Sequence, residues 1–236
     1  MALAEEALRM KVERTEIPGT SIKVSPVAIG TWAIGGWMWG GTDDAESIAT
    51  IRTAFDHGIN IVDTAPVYGF GHSEEIVGKA IAESGRRSDV VIATKAGLQW
   101  DGGKVSRNAS RARIMKEIED SLRRLQTDYI DVYQVHWPDP LVTIEETAEA
   151  MLTLFDQGKI RAIGVSNFSV LRWSGSAAWR RCMCCSRPTI CSNAESRPTF
   201  CPIAAKTRLR CWDMARCAAA CCPDECRRTR FSKATI

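Results

Sequence analysis

The chain has 236 residues, 45% hydrophobic and 25% charged, enough for one medium domain with a full core, and this composition excludes a disordered, collagenous or coiled-coil protein. No window approaches the roughly 18 uncharged apolar residues of a membrane helix, and Met1 to Thr20 carries seven charged residues where a signal peptide needs an apolar run, so the expectation is a soluble cytoplasmic protein. The net charge of +3 conceals a break: residues 1–170 hold 18 Lys+Arg against 24 Asp+Glu (net −6), residues 171–236 hold 13 against 4 (net +9), and all ten cysteines lie between Cys182 and Cys226.

In chain order, Val27 to Thr31, Ile59 to Thr64, Val90 to Lys95, Tyr129 to His136 and Ile160 to Ser166 read as five short strands, apolar or β-branched. Between them Ala45 to His57, Ser73 to Glu83, Arg111 to Leu125 and Ile144 to Asp156 place apolar residues three and four apart, as amphipathic helices do. Asp43-Asp44, Ser110 and Thr143 suit helix N-termini, and Gly58 and Gly158 suit left-handed stops. Strand–helix units repeating at about 30 to 35 residues mean a parallel sheet, either open and doubly wound or a (β/α)8 TIM barrel.

The glycines favour the barrel. The run Gly35-Gly36-Trp37-Met38-Trp39-Gly40-Gly41 lacks the G-x-G-x-x-G register for a pyrophosphate at a helix start. Barrel enzymes carry their chemistry at the C-terminal strand ends, and here those ends are Thr31-Trp32, Asp63-Thr64, Thr94-Lys95, His136-Trp137 and Ser166-Asn167. Other charged residues have plainer readings: His57 as a helix-end cap, His72 as a loop residue, and Arg86-Arg87 and Arg123-Arg124 as solvated helix-end charges.

Five segments in order resemble the aldo-keto reductases, NADP-dependent carbonyl reductases on a TIM barrel. They are Gly30-Thr31-Trp32, Asp63-Thr64-Ala65-Pro66-Val67-Tyr68-Gly69, Ala93-Thr94-Lys95, Gln134-Val135-His136-Trp137 and Gly164-Val165-Ser166-Asn167-Phe168, preceded by a stretch from Ile17 to Ser25 similar to the family's opening β-hairpin. The resemblance covers about residues 12–170, with 1–11 as an N-terminal extension. It implies reduction of an aldehyde or ketone with NADP(H), with Tyr68 as the acid, Lys95 favouring its ionised form, Asp63 pairing with Lys95, and His136 polarising the carbonyl. It further implies that Gly30, Thr31, Trp32, Asp63, Ser166 and Asn167 bind cofactor, and that Trp32, Tyr68, His136 and Trp137 meet a small carbonyl substrate. No metal, nucleic acid or membrane partner is expected, and the oligomeric state stays open.

The resemblance stops near Val170. Residues 171–236, rich in Cys and Arg, show no periodicity and none of the family's later strands, so the barrel is expected to be incomplete at about five units with an irregular, disordered tail. Codons for 183–194 can be chosen so that reading two nucleotides later gives Val-Leu-Gln-Ser-Pro-Tyr-Asn-Leu-Phe-Glu-Arg, similar to the family's missing Gln strand. At the same offset 212–223 gives Gly-Tyr-Gly-Ala-Leu-Cys-Arg-Gly-Leu-Leu-Ser, similar to the next strand and loop. The expectation is therefore a frameshift near Val170 to Leu171, and an inactive product if the chain exists as written. The alternatives are a non-enzymatic NADP-binding barrel and a functionless truncated product.

Overall fold

The computed structural model describes residues 12–17 and 20–168 in full and the backbone of 189–192 and 210–211. The chain opens with an antiparallel hairpin of β1 (Thr15–Glu16) and β2 (Lys23–Val24). There follow β3 (Ile29–Gly30), α1 (Asp44–Asp56), β4 (Ile61–Asp63), α2 (His72–Ser84) and β5 (Val91–Ala96). A second hairpin, β6 (Leu98–Asp101) and β7 (Lys104–Arg107), precedes α3 (Arg111–Leu125), β8 (Val132–Val135), α4 (Ile144–Asp156) and β9 (Ile163–Ser166).

Local chemistry sets these bounds. The side chains of Asp43, Ser110 and Thr143 each accept from a backbone N–H three residues on, satisfying donors that a helix start leaves open. Gly58 and Gly158 adopt φ of 86° and 73° just past α1 and α4, the left-handed conformation that stops a helix. The strands anticipated at 27–31, 59–64, 90–95, 129–136 and 160–166 all occur, the third shifted by one residue to 91–96 and the others shorter, and α3 and α4 keep their expected bounds.

Strands β3, β4, β5, β8 and β9 pair in parallel, in that spatial order, as successive units of a partial barrel. The tail, expected to be irregular, adds β10 (Thr189–Ser192), parallel to β9, and β11 (Arg210–Cys211), parallel to β10. At those positions the sheet therefore has seven strands rather than five. The break near 170–171 and the side chains of all ten cysteines lie outside the described residues. No helix among the described residues is long and apolar enough to cross a membrane.

Side chains alternate between two faces along each strand. Val62, Ile92, Tyr133, Val135, Ile163 and Val165 point outward into one core with helix residues such as Ile51, Ile76, Val77, Ile114, Ile118, Met151 and Leu154. Burying a large aliphatic side chain in such a core contributes about 1.5–3 kcal/mol. The alternate positions Ile61, Val91, Ala93 and Val132 point inward, where Ile17, Ile22 and Val24 of the first hairpin plug the barrel floor. Asn60 fixes that plug: its Oδ1 accepts from Ser25 N–H at 2.7 Å and its Nδ2 donates to the Lys23 carbonyl at 2.9 Å.

Candidate active site

The inward parity that fills the floor with Ile61, Ala93 and Val132 places Asp63, Lys95 and His136 at the opposite, C-terminal ends of β4, β5 and β8. Register brings the first two together, because Asp63 pairs with Ala93 and Lys95 with Gln134. The Lys95 ammonium, almost fully buried, donates to both Asp63 carboxylate oxygens at 2.9 and 3.0 Å, to the Thr64 carbonyl at 3.0 Å and to the Tyr68 hydroxyl at 3.2 Å. Tyr68 leaves the loop after β4, and its ring meets the His136 ring edge-on with centroids 5.9 Å apart. The four residues expected to carry the chemistry thus converge.

Burial alone works against charge on Lys95, but Asp63 first and Tyr68 second overcome it and hold the ammonium above its ordinary pKa. Burial pushes the Asp63 carboxyl up, while Lys95 pulls it back. Burial, reinforced by the Lys95 charge, pulls His136 well below the ordinary imidazole range, so it is neutral at pH 7 and donates from one ring nitrogen only.

Around this group, Trp32 lies 6.3 Å from Tyr68 and carries Trp39 edge-on at 5.5 Å, both rings about half exposed at the mouth. Ser166 and Asn167 end β9 on the facing side, and Asn167, at φ 61°, donates from Nδ2 to the His136 carbonyl at 2.9 Å and to Ser166 Oγ at 3.2 Å. The carboxamide of Asn167 thereby ties the β9 end to the β8 end. Gly30 pairs with Asp63 at the edge of the mouth. Thr31 is fully buried: its hydroxyl donates to the Asp63 carbonyl and accepts from Ser73, and its carbonyl also accepts from Ser73, so it supports the mouth from below. Trp137 is two-fifths exposed with its ring under the Arg107 guanidinium, whereas the ring neighbours of Tyr68 are Trp32 and His136. Ser73 and Trp39 were not singled out in the sequence. Trp39 had a signal, since a tryptophan beside glycines after a barrel strand sits in a mouth loop.

Behind Lys95, on the helix side of β5, two carboxylates are buried. Glu74 accepts from Thr94 Oγ1 and Arg124 Nε at 2.7 Å and from Ser121 at 3.3 Å; Glu117 accepts from Gly97 N–H at 2.9 Å and Arg113 at 3.3 Å. These contacts pin both ends of the segment carrying Lys95. They also correct the reading of Arg124 as a solvated charge, because a buried carboxylate needs an ionic partner. Arg87 needs the same correction: it binds Asp131 and the carbonyls of Val90 and Tyr129 and stacks over the Tyr129 ring at 3.8 Å. Arg86, paired with Asp56, and Arg123, paired with Asp120, stay at the surface. His72 begins α2 rather than a loop and bonds Asp44 at 2.9 Å, while His57 caps α1 through the Thr53 carbonyl.

Burial raises the Glu117 carboxyl to about 7, against the pull of Arg113 and the Gly97 N–H. The folded chain therefore binds this proton more tightly than the unfolded chain, and its contribution to stability is lost as pH rises from about 4.5 to about 7, by up to about 3 kcal/mol. Glu117→Gln keeps an acceptor for Gly97 and is expected to flatten the dependence of Tm on pH across this window. A variant curve parallel to the parent's would refute this.

Comparison with known proteins accounts for the convergence. A model of the "Aldo/keto reductase family" matches residues 26–176, more than half of the chain and every site residue above. The chain belongs to the aldo/keto reductase family. Among curated family members, aldo-keto reductase YhdN of Bacillus subtilis is 67% identical over 130 residues, which are 55% of this chain and 39% of that protein. The matched stretch therefore spans about two fifths of the relative's length. Among solved structures, the glycerol dehydrogenase of Gluconobacter oxydans superposes with a TM-score of 0.74 at 41% identity, covering 96% of this chain and 71% of that one. An aldo/keto reductase from Klebsiella pneumoniae, solved in complex with NADP and acetate, gives a TM-score of 0.69 at 28% identity, over 88% and 69%.

Proposed function

We propose that this site reduces the carbonyl group of an aldehyde or ketone to an alcohol with NADPH, and that the observation carrying the reading is the buried Asp63–Lys95 pair donating to Tyr68 beside a neutral His136. The mouth suits the nicotinamide end of the cofactor. Ser166 and Asn167 present a hydroxyl and a carboxamide, groups complementary to the nicotinamide carboxamide, and Trp32 offers a flat apolar wall. The relative from Klebsiella pneumoniae holding NADP supports the same cofactor here. When bound, NADPH supplies hydride to the carbonyl carbon.

The protein's own residues then manage the oxygen. The N–H of His136 holds the carbonyl oxygen and polarises it, and Tyr68 donates its hydroxyl proton as negative charge develops there. Lys95 stabilises the resulting phenolate, and Asp63 keeps Lys95 charged and aimed. Trp32 and Trp39 shield the reacting atoms from water on one side.

The test is NADPH oxidation, followed at 340 nm, by the 236-residue chain and by the chain encoded in the restored frame, against a panel of small aldehydes and ketones. Turnover in the restored chain is expected, with little in the chain as written; NADPH binding without turnover on any carbonyl would favour the non-enzymatic reading instead. Resequencing the gene across the codons for Gly164 to Arg180 checks the frameshift directly. Because His136 is already neutral, kcat/KM should show no limb near pH 6.5, where an ordinary imidazole titrates. A limb there that disappears in His136→Asn would refute the assignment.

A further inference from the structure

The backbone that carries Tyr68 is held in an unfavourable path. Gly69, Phe70 and Gly71 follow Tyr68 with φ of 64°, 57° and 105°, three left-handed residues in succession. Two of them are glycines, but Phe70 is a bulky residue that seldom adopts this conformation unless surrounding structure holds it there. What holds it is an aromatic stack. The Phe70 ring lies between Trp37, centroids 5.0 Å apart, and Trp100 of β6, at 5.7 Å, and the Arg113 guanidinium covers Trp100 at 5.8 Å.

The loop that supplies Trp37 also touches Tyr68's main chain. A Cβ on Gly35 would lie 2.5 Å from the Tyr68 carbonyl carbon, and a Cβ on Gly69 would collide with the Gly35 carbonyl oxygen. The two loops therefore pack backbone on backbone, with the Trp37–Phe70 contact beside them. The other end of the same loop carries Trp32, which faces the Tyr68 ring.

We propose that Trp37, acting through Phe70, is a positioning residue that sets the Tyr68 hydroxyl on Lys95. The inference rests on the reading of Tyr68 as the acid. Trp37 has no ring contact with Tyr68 or His136, so a substrate-binding role and a positioning role predict different kinetics.

The kinetic experiment compares Trp37→Ala, Trp37→Phe and, as a control on the same loop, the highly exposed Met38→Ala in the frame-restored chain. For Trp37→Ala the expected result is a kcat lower by roughly 10 to 10²-fold with KM nearly unchanged, rescue by Trp37→Phe, and no effect of Met38→Ala. A raised KM with kcat intact, or no change in either, overturns the proposal.

A second readout needs no turnover and uses the 236-residue chain. The chain has three tyrosines, so 13Cζ-tyrosine labelling gives three NMR resonances, with Tyr68 assigned by its loss in Tyr68→Phe. Trp37→Ala should displace the Tyr68 resonance and leave Tyr129 and Tyr133 in place; an unmoved Tyr68 resonance overturns the clamp. If the frame-restored parent turns over no carbonyl, the function reading fails, and the resonance alone decides the clamp. Should Trp37→Ala lose its circular dichroism, Trp100→Leu, at the far side of the stack, is measured in the same ways with the same expected and refuting results.

Discussion

Replacing Lys95 by methionine is expected to abolish carbonyl reduction and to lower stability, and a second substitution should separate the two effects. Methionine preserves the bulk of the side chain but removes the ammonium, leaving the Asp63 carboxylate without its ionic partner and the Tyr68 hydroxyl without its donor. Removing one member of a buried ion pair costs about 3–5 kcal/mol, and because the Asp63 side chain is one-fifth exposed the lower end applies. For a chain of this length about 3 kcal/mol corresponds to a fall in Tm of roughly 10 °C. Asp63→Asn combined with Lys95→Met removes both charges, so most of the stability should return while activity stays lost. If the double variant is no more stable than Lys95→Met, the pair does not hold the loop. If Lys95→Met still turns over, its role in the chemistry is wrong.

The second large effect is expected at Tyr68. Tyr68→Phe removes one oxygen whose described hydrogen bond comes from Lys95, and it leaves the ring between Trp32 and His136. Fold and NADPH affinity should therefore survive, measured by circular dichroism and by quenching of tryptophan fluorescence. General acid catalysis is worth roughly 10² to 10⁴-fold, so kcat should fall by that factor with little change in KM. Retained turnover in the frame-restored chain would remove Tyr68 from the mechanism, and lost NADPH binding would make it a cofactor residue.

The parallel strands and the helices up to Phe168 were legible because each is short, periodic and punctuated: Asp43, Ser110 and Thr143 open helices, and Gly58 and Gly158 close them. The meeting of Asp63, Tyr68, Lys95 and His136 was legible because motif order carried them. The β6–β7 hairpin was missed, although Asp101-Gly102 between Trp100 and Val105 is a turn signal of the kind that joins two strands. Glu74, Glu117, Arg87 and Arg124 were invisible for a different reason. A charged residue on or beside a helix reads as solvated by default; only packing across α2, α3 and β5 shows that Glu74, Glu117 and Arg124 are enclosed, and only the fold brings Arg87 to the buried Asp131. Phe70 escaped notice because its backbone conformation leaves no trace in composition or spacing. The two strands of the tail could not be read from residues whose pattern carries no alternation.

The plug formed by the first hairpin has a consequence for timing. With Ile17, Ile22 and Val24 packed beneath Ile61, Ala93 and Val132, an apolar layer separates the floor from the Asp63–Lys95–Tyr68 group. If Tyr68 is the acid proposed above, each proton it surrenders is replaced from the mouth end, the end at which substrate would enter and alcohol would leave. On that mechanism recharging of the acid would wait on departure of the product, and a slow-leaving alcohol would delay the next cycle twice, once by occupying the site and once by keeping Tyr68 dry.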